Sequence, residues 1–173
     1  YNLSAYDAAV LTASRAMADF YQTTVAKTKD PKLSANWVMG DLSALLNKAS
    51  LTIHQSQVSA EQIAILIKRI LDNTISNSAG KTILEALWEE NNPEDASLID
   101  KLIESKGLKQ MSDTGELEAI VDQVIAGGAG QVEQFRSGNE KILGWFVGQV
   151  MKLSQGKANP QMVNEILRKK LAD

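Results

Sequence analysis

Residues 59–71, SAEQIAILIKRIL, contain the pattern from which the fold class follows. Ser59 and Gln62 are spaced as a capping box, in which each side chain satisfies a backbone N–H at the start of a helix. The positions that follow are apolar around most of a helical circumference: Ile63, Ile65, Leu66, Ile67, Ile70 and Leu71. The segment therefore predicts a helix that lies at the centre of the fold.

Helix start and stop signals predict two helices before this segment. The first is capped by Ser4 and runs to about residue 26, with one apolar face made by Tyr6, Ala9, Val10, Ala13, Met17 and Phe20. Asp30-Pro31 breaks it, and Ser34 opens a second helix that ends near residues 49–50. Residues 51–58 alternate only partly in polarity and have no partner strand, so they predict no sheet.

The same signals predict two helices directly after the central one, over residues 79–90 and 93–105. Pro93 lies in the first turn of the second, and Gly107 is its expected C-terminal cap. Residues 108–115 contain Ser, Asp and Gly and are interpreted as a hinge. We therefore expect an all-α chain of two small domains, a helical bundle over residues 1–109 and a tail domain over residues 110–173.

The tail domain is predicted to contain three or four helices. The first has an apolar face made by Leu117, Ile120, Val121, Val124 and Ile125. Residues 127–130, GGAG, are interpreted as a flexible link. The remaining helices are expected over residues 132–136, 139–154 and 160–171.

Composition narrows the class of protein. Of 173 residues, 44% are hydrophobic and only 5% aromatic, a mixture that favours helices. The absence of cysteine rules out disulfides and thiol nucleophiles, and no apolar run approaches the length of a membrane span. We expect a soluble, cytoplasmic protein without membrane contact, and a fragment of a longer chain because Tyr1 replaces an initiator Met.

The net charge of -3 is unevenly distributed. Residues 131–173 carry seven basic and four acidic residues, whereas residues 1–130 carry 11 basic and 17 acidic ones. An anionic partner would therefore meet the C-terminal quarter. A solvated helix surface explains the same imbalance equally well, and both interpretations stay open.

No constellation of residues predicts catalysis. His54 is the only histidine and has no acid or nucleophile at helical spacing. The densest acidic group, Glu89-Glu90 with Glu94-Asp95, flanks a proline turn and predicts a solvated helix end. Residues 127–130 lack the Lys-Ser/Thr of a phosphate-binding loop. We expect no enzyme activity and no metal site in this chain.

Residues 144–160, GWFVGQVMKLSQGKANP, carry the strongest functional signal. Gly144 and Gly148 lie about one helical turn apart, which leaves a strip bare of side chains beside Trp145 and Phe146. Helix packing against this strip is the favoured interpretation, and approach of an RNA backbone is the alternative. The spacing places Lys141, Gly148 and Lys152 on one face, so two cations would flank the strip.

Residues 156–160 predict a tight corner between two helices. Gly156 is expected to end one helix in a left-handed conformation, while Asn159 caps the next helix and Pro160 occupies its first position. Backbone N–H groups at that helix start, with Lys152 and Lys157, could bind phosphate, and a purely structural corner is the other interpretation. Residues 168–170, Arg-Lys-Lys, stabilise the last helix end and could also attract RNA.

Five segments in collinear order resemble the C-terminal region of the B subunit of the aspartyl/glutamyl-tRNA(Asn/Gln) amidotransferase. They are residues 6–12 (YDAAVLT), 35–42 (ANWVMGDL), 107–113 (GLKQMSD), 148–152 (GQVMK) and 156–160 (GKANP). The resemblance implies a helical domain followed by a tail domain that binds the tRNA elbow. The parent complex would convert Asp-tRNA(Asn) or Glu-tRNA(Gln) to the amide, with glutamine as ammonia donor.

The resemblance also implies which partners and cofactors belong to this chain. ATP and Mg would bind an N-terminal portion of the same polypeptide that lies outside this chain, so the fragment itself needs no cofactor. Its partners would be tRNA and the other amidotransferase subunits. The candidate tRNA-binding residues are Lys141, Gly144, Gly148, Gln149, Lys152, Gly156, Lys157 and Asn159.

Two positions depart from the family pattern. Asn139 stands where the family often has lysine, which removes one candidate phosphate contact. Residues 127–130 replace a segment that commonly contains Asn-Pro, which predicts a looser link and a more mobile tail. The alternative function is a protein-interaction scaffold in which the glycine strip receives a partner helix without RNA.

Overall fold

The computed structural model describes residues 1–111 and 113–172, and its regular structure is helical throughout this range. The one extended pairing among the described residues is a single parallel bridge between Met111 and Ala158. The predicted all-α class is confirmed. Ser112, part of the predicted hinge, and Asp173 lie outside the described residues.

The chain separates into two compact units, Tyr1–Leu108 (unit 1) and Lys109–Asp173 (unit 2). The sequence-based domain boundary after residue 109 stays a prediction. In the described part of the chain, no helix combines the length and the apolar character that crossing a membrane requires.

Unit 1 contains seven α-helices. They are α1 (Ala5–Leu11), α2 (Arg15–Thr28), α3 (Pro31–Asn36), α4 (Ser43–Lys48), α5 (Ala60–Leu71), α6 (Asn77–Glu90) and α7 (Leu98–Ser105). A π-helix, Trp37–Leu42, joins α3 to α4, and a 3-10 turn, Ile53–Gln55, precedes α5.

Helix α5 is the centre of unit 1, as predicted. Its capping box is present: the Gln62 N–H donates to Ser59 Oγ and the Ser59 N–H to Gln62 Oε1, both at 3.2 Å. The helix packs against α2, α3, α6 and α7. Ile63, Leu66 and Ile67 are fully buried, and burying each such side chain contributes about 1.5–3 kcal/mol.

The prediction of one helix up to residue 26 is wrong. Ser4 caps α1 through the Asp7 N–H at 3.1 Å, as expected, but α1 ends at Leu11. Ser14 then caps α2 by accepting from the Met17 N–H at 3.1 Å. Tyr6 is 73% exposed and does not belong to a buried face. The chain therefore forms two helices instead of one. The Ser14 side chain makes the break favourable because it satisfies a backbone N–H that the start of a new helix leaves unpaired.

Two other helix starts also differ from prediction. Asp30 caps α3 through the Leu33 N–H at 2.9 Å with Pro31 as the first helical residue, so the helix starts before Ser34. Pro93 lies in a turn, and α7 begins only at Leu98. The predicted cap at Gly107 is confirmed: its φ is 59° and its N–H donates to the Glu104 carbonyl.

The described residues of unit 2 form four α-helices, in agreement with the predicted three or four. They are α8 (Thr114–Gly127), α9 (Ala129–Arg136), α10 (Leu143–Leu153) and α11 (Pro160–Ala172), with a 3-10 turn, Glu140–Ile142, before α10. The apolar face of α8 is confirmed, and it packs with α10 and α11 around the buried residues Leu117, Val121, Val124, Leu143, Phe146, Val150, Ala158, Val163, Leu167 and Leu171.

The predicted flexible link over residues 127–130 is a packed helix junction. Helix α8 extends through Gly127 and α9 starts at Ala129, so only Gly128 lies between them. Gly128 is buried, and a Cβ there would lie 3.0 Å from Cζ3 of Trp145 and 3.2 Å from the Val124 carbonyl oxygen. Only glycine fits without displacing the indole ring, so the expectation of a looser link has no structural basis.

Candidate nucleic-acid interface

One face of α10 is built from small and basic residues. Gly144, Gly148 and Lys152 follow one another at intervals of four, so they lie on one side of the helix, and all three are exposed. The opposite side carries Leu143, Phe146 and Val150, which are buried in the core of unit 2. The core therefore orients the glycines outward.

The two glycines of this face pack against nothing among the described residues. A Cβ built on Gly144 or on Gly148 would meet no atom within 4 Å. The favoured sequence interpretation, helix packing against the strip, is therefore wrong for this chain. Glycine inside a helix costs about 0.5–1 kcal/mol relative to alanine, so the bare strip is a stability cost without a packing benefit.

Trp145 borders the strip and is held in place by two contacts. Its ring meets the Phe146 ring edge to face, with centroids 5.1 Å apart and planes at 84°. Its Cζ3 and Cη2 atoms pack over Gly128. The side chain is nevertheless 36% exposed. Residue spacing offered no signal for the Trp145–Gly128 contact, because 17 residues separate the two positions.

Lys141 does not share the helix of the other candidate residues. It lies in the 3-10 turn before α10, and α10 begins only at Leu143. A 3-10 turn has three residues per turn, so the helical spacing assumed between Lys141 and Gly148 does not apply. Lys141 is exposed, and Gln149 is half-buried at the edge of the strip.

The corner after α10 turns through two left-handed residues. Gly156 has φ 77°, as predicted, but Gln155 before it has φ 54°. The Gln155 N–H donates to the Lys152 carbonyl at 3.2 Å and the Gly156 N–H to the Met151 carbonyl at 2.8 Å. These two bonds form the usual left-handed helix end, in which Gln155 holds the position expected for Gly156.

The start of α11 has no backbone donor left for a phosphate. Asn159 Oδ1 accepts from the N–H groups of Gln161 at 3.0 Å and Met162 at 3.3 Å. Pro160 has no N–H, and the Val163 N–H donates to the Asn159 carbonyl at 3.0 Å. The cap expected at Asn159 is present, and it uses the donors that the alternative interpretation, a main-chain phosphate site, would need.

The corner is also tied to the beginning of unit 2. The Met111 N–H donates to the Lys157 carbonyl at 2.6 Å, and the Asn159 N–H donates to the Met111 carbonyl at 3.3 Å. Lys157 is half-buried. These contacts give the corner a structural role and leave the Lys157 ammonium as its possible contribution to binding.

Ion pairing separates the cations of unit 2 into two groups. Arg168 lies 4.0 Å from Glu140, and Lys170 pairs with Asp122, so both are partly neutralised. Within the described residues, Lys141, Lys152 and Lys157 form no ion pair. Lys141, Lys152 and Lys157 thus keep their charge available to an anionic partner, as does Arg136 at the end of α9, whereas two members of the 168–170 cluster contribute less than their charge suggests.

The described residues contain no cluster of side chains that could hold a metal ion. His54 is exposed in the 3-10 turn before α5. No three His, Cys, Asp or Glu side chains within residues 1–111 and 113–172 converge on a point that could hold a metal ion. Asp95, part of the acidic cluster in the sequence, accepts from the Ser97 hydroxyl and from Lys101 at 3.0 Å, which serves the local turn.

Comparison with known proteins identifies relatives for almost the whole chain. The GatB domain family matches residues 19–171. The B subunit of the aspartyl/glutamyl-tRNA(Asn/Gln) amidotransferase of Burkholderia ambifaria is 51% identical over 173 residues, and the protein of that name from Thioalkalivibrio sulfidiphilus is 54% identical over 172. Each alignment covers 99% of this chain and 35% of the relative. The chain thus spans about a third of the length of these relatives.

Proposed function

Because the chain belongs to the GatB domain family, we propose that its unit 2 binds tRNA as part of an aspartyl/glutamyl-tRNA(Asn/Gln) amidotransferase. The complete enzyme would form the amide on Asp-tRNA(Asn) or Glu-tRNA(Gln) in the cytoplasm. ATP, Mg and the glutamine-hydrolysing subunit would act outside this chain. The chain would hold the tRNA and contact the other subunits, without catalysing a step itself.

The open glycine strip is the observation that carries this proposal. Gly144 is the second residue of α10 and Gly148 lies in its middle, and a Cβ on either would meet no atom within 4 Å among the described residues. A surface without side chains allows a sugar-phosphate backbone to approach the helix closely, and Lys152 lies one turn beyond Gly148. Structured RNA is recognised mainly through its shape and its phosphates, which suits such a strip.

The candidate residues divide into three roles under this proposal. Gly144, Gly148 and Gln149 would form the contact surface, and Lys141, Lys152 and Lys157 would supply charge. Gly156 and Asn159 would act indirectly, because they shape the corner that positions Lys157. This division differs from a site centred on the start of α11, whose backbone donors are already used.

Salt dependence of tRNA binding tests the charge contacts. Titrations of the 173-residue chain with a tRNA(Asn) transcript at several KCl concentrations should give a negative slope of log affinity against log salt. Removing two phosphate contacts with Lys152→Gln plus Lys157→Gln should flatten the slope by about 1.4–1.8. Lys68→Gln, which removes a cation from α5 in unit 1, is the control and should leave affinity unchanged. Equal slopes for wild type and double variant would reject the proposed charge contacts.

A partner helix is the second candidate occupant of the strip, because Leu153 at the end of α10 is 49% exposed. Gly148→Leu separates the two candidates. Loss of tRNA binding by the isolated chain supports the RNA role, whereas intact tRNA binding with weakened, salt-insensitive assembly into the amidotransferase supports the scaffold role.

A further inference from the structure

Trp145 is the most exposed of the three tryptophans. The comparable large side chains Trp37 and Phe146 are 1% and 0% exposed, whereas Trp145 is 36% exposed. Two of its neighbours on α10, Gly144 and Gly148, place no side chain beside the indole. From this exposure we infer that Trp145 is a stacking platform for an unpaired nucleobase of the bound tRNA, an inference that rests on the proposed function.

The indole is held before any ligand arrives. Phe146, itself fully buried, meets its ring edge to face, and the Cζ3 and Cη2 atoms lie against the backbone at Gly128. A ring fixed on two sides loses little conformational freedom when a base stacks on it. Gly128 therefore helps to position the indole ring.

Residue spacing places Lys152 within reach of the phosphate of a nucleotide whose base stacks on Trp145. Trp145, Gly148 and Lys152 lie at positions i, i+3 and i+7, which form one stripe along a helix. The Lys152 Cα is about 10 Å further along the helix axis than the Trp145 Cα, at 1.5 Å per residue. Helical side chains lean toward the N-terminus, so Lys152 leans over the turn that carries Gly148.

Charge favours an anionic occupant over an apolar peptide segment, and the exposed indole beside that charge favours a nucleotide among anionic occupants. Helix α10 contains no acidic residue, and Lys152 forms no ion pair within the described residues. An aromatic face beside a cation and a bare backbone matches the combination by which proteins bind unstacked bases and their phosphates. The base stacks on Trp145, the sugar passes over Gly148, and the phosphate meets Lys152.

Substitutions at Trp145 separate stacking from charge attraction. Trp145→Leu retains apolar volume but lacks a π-face, and it should weaken tRNA binding by the 173-residue chain about tenfold. The salt slope should stay that of wild type, because no phosphate contact is removed. Trp145→Phe retains an aromatic face and should bind within about threefold of wild type. Wild-type affinity in Trp145→Leu, or equal losses in the Leu and Phe variants, would overturn the inference.

Fluorescence keeps the test decisive if the Leu variant folds poorly. Stacking should quench the Trp145 emission when tRNA is added, and the quenching should be absent from Trp145→Phe while that variant still binds. Trp88→Phe removes a half-buried indole from α6 in unit 1 and should leave the quenching intact. Binding without quenching in wild type rejects stacking alone, whereas no tRNA binding by wild type at any salt concentration rejects the proposed function itself.

Discussion

Gly80 in α6 and Gly148 in α10 are both glycines inside helices, yet their surroundings are opposite. A Cβ on Gly80 would lie 2.8 Å from Ile70 Cδ1 and 3.0 Å from Trp37 Cη2. A Cβ on Gly148 would meet nothing within 4 Å. In unit 1 the glycine permits close packing of helices, whereas in unit 2 it keeps an outer surface bare.

The comparison shows how glycine can be assigned to stability or to function. Glycine loses more conformational entropy on folding than other residues. A packed glycine offsets this loss through close contacts that no larger residue allows. An exposed glycine in mid-helix gains no such contacts from the described residues, and its backbone surface stays open to a partner. Gly128 belongs with Gly80 in this respect, although it lies in the same unit as Gly148.

The largest expected effect is the difference in stability between two single variants, one with leucine at position 80 and one with leucine at position 148. Gly80→Leu forces apart α6, Ile70 and Trp37 and should lower the free energy of unfolding by about 3 kcal/mol or more. Gly148→Leu projects into solvent and should change it by less than about 1 kcal/mol, toward higher stability. Chemical denaturation of each variant measures both values. A loss at position 148 as large as at position 80 would contradict the comparison.

Gly128→Ala tests the packed junction of unit 2. The new methyl group would press on the indole of Trp145, so we expect a loss of about 1–2 kcal/mol and a changed Trp145 emission. Gly127→Ala is the matched control, because the neighbouring position has open space around its Cβ. Hydrogen exchange of peptides from α8 and α10 would locate the effect. Similar stability of the two variants would disprove tight packing at Gly128.

Gly144→Ala tests the open strip through an expected gain in stability, whereas Gly128→Ala is expected to lose stability. A methyl group there meets no atom and restricts the unfolded chain, so the variant should be more stable by about 0.5–1 kcal/mol. Gly130, like Gly144, is the exposed second residue of its helix and has open space around its Cβ, so Gly130→Ala is the matched control and should gain a similar amount. Thermal unfolding measures both. Destabilisation by Gly144→Ala would mean that the strip packs against part of the chain.

The smallest expected effect concerns acid stability of unit 1. Arg69 donates to both carboxylate oxygens of Asp100, at 2.7 and 2.8 Å, and these hydrogen bonds lower the pKa of Asp100. Since unfolded aspartate has a pKa of about 3.9, the pair stabilises the fold above that pH and loses its effect as pH falls through the lower folded pKa.

Arg69→Gln should therefore reduce the dependence of unfolding free energy on pH below about 4. The effect should be small, because the side chains of Arg69 and Asp100 are 33% and 53% exposed. Arg15→Gln, which breaks a more exposed pair 3.8 Å long, is the control. Denaturation series at several acidic pH values compare the two, and identical pH dependence in all three proteins would exclude this contribution.

Local signals in the sequence predicted most of the helices. The capping box of Ser59 and Gln62, the cap at Ser4 and the left-handed Gly107 are confirmed, because each depends on residues within one helical turn. The missed break at Ser14 and the early start at Asp30 came from competing caps of the same kind. Pro31 was interpreted as a helix breaker although proline is also favoured at the first helical position.

The sequence by itself determined the all-α class, the placement of Gly144, Gly148 and Lys152 on one helix face, and the resemblance that led to tRNA, since these depend on residue types and their helical spacing. Only the tertiary structure decided what surrounds each glycine. Gly80 and Gly128 are enclosed by Ile70, Trp37 and Trp145, residues from other segments of the chain, whereas Gly144 and Gly148 face open space. Contacts between distant segments depend on how helices pack together, and no spacing within one segment encodes that arrangement.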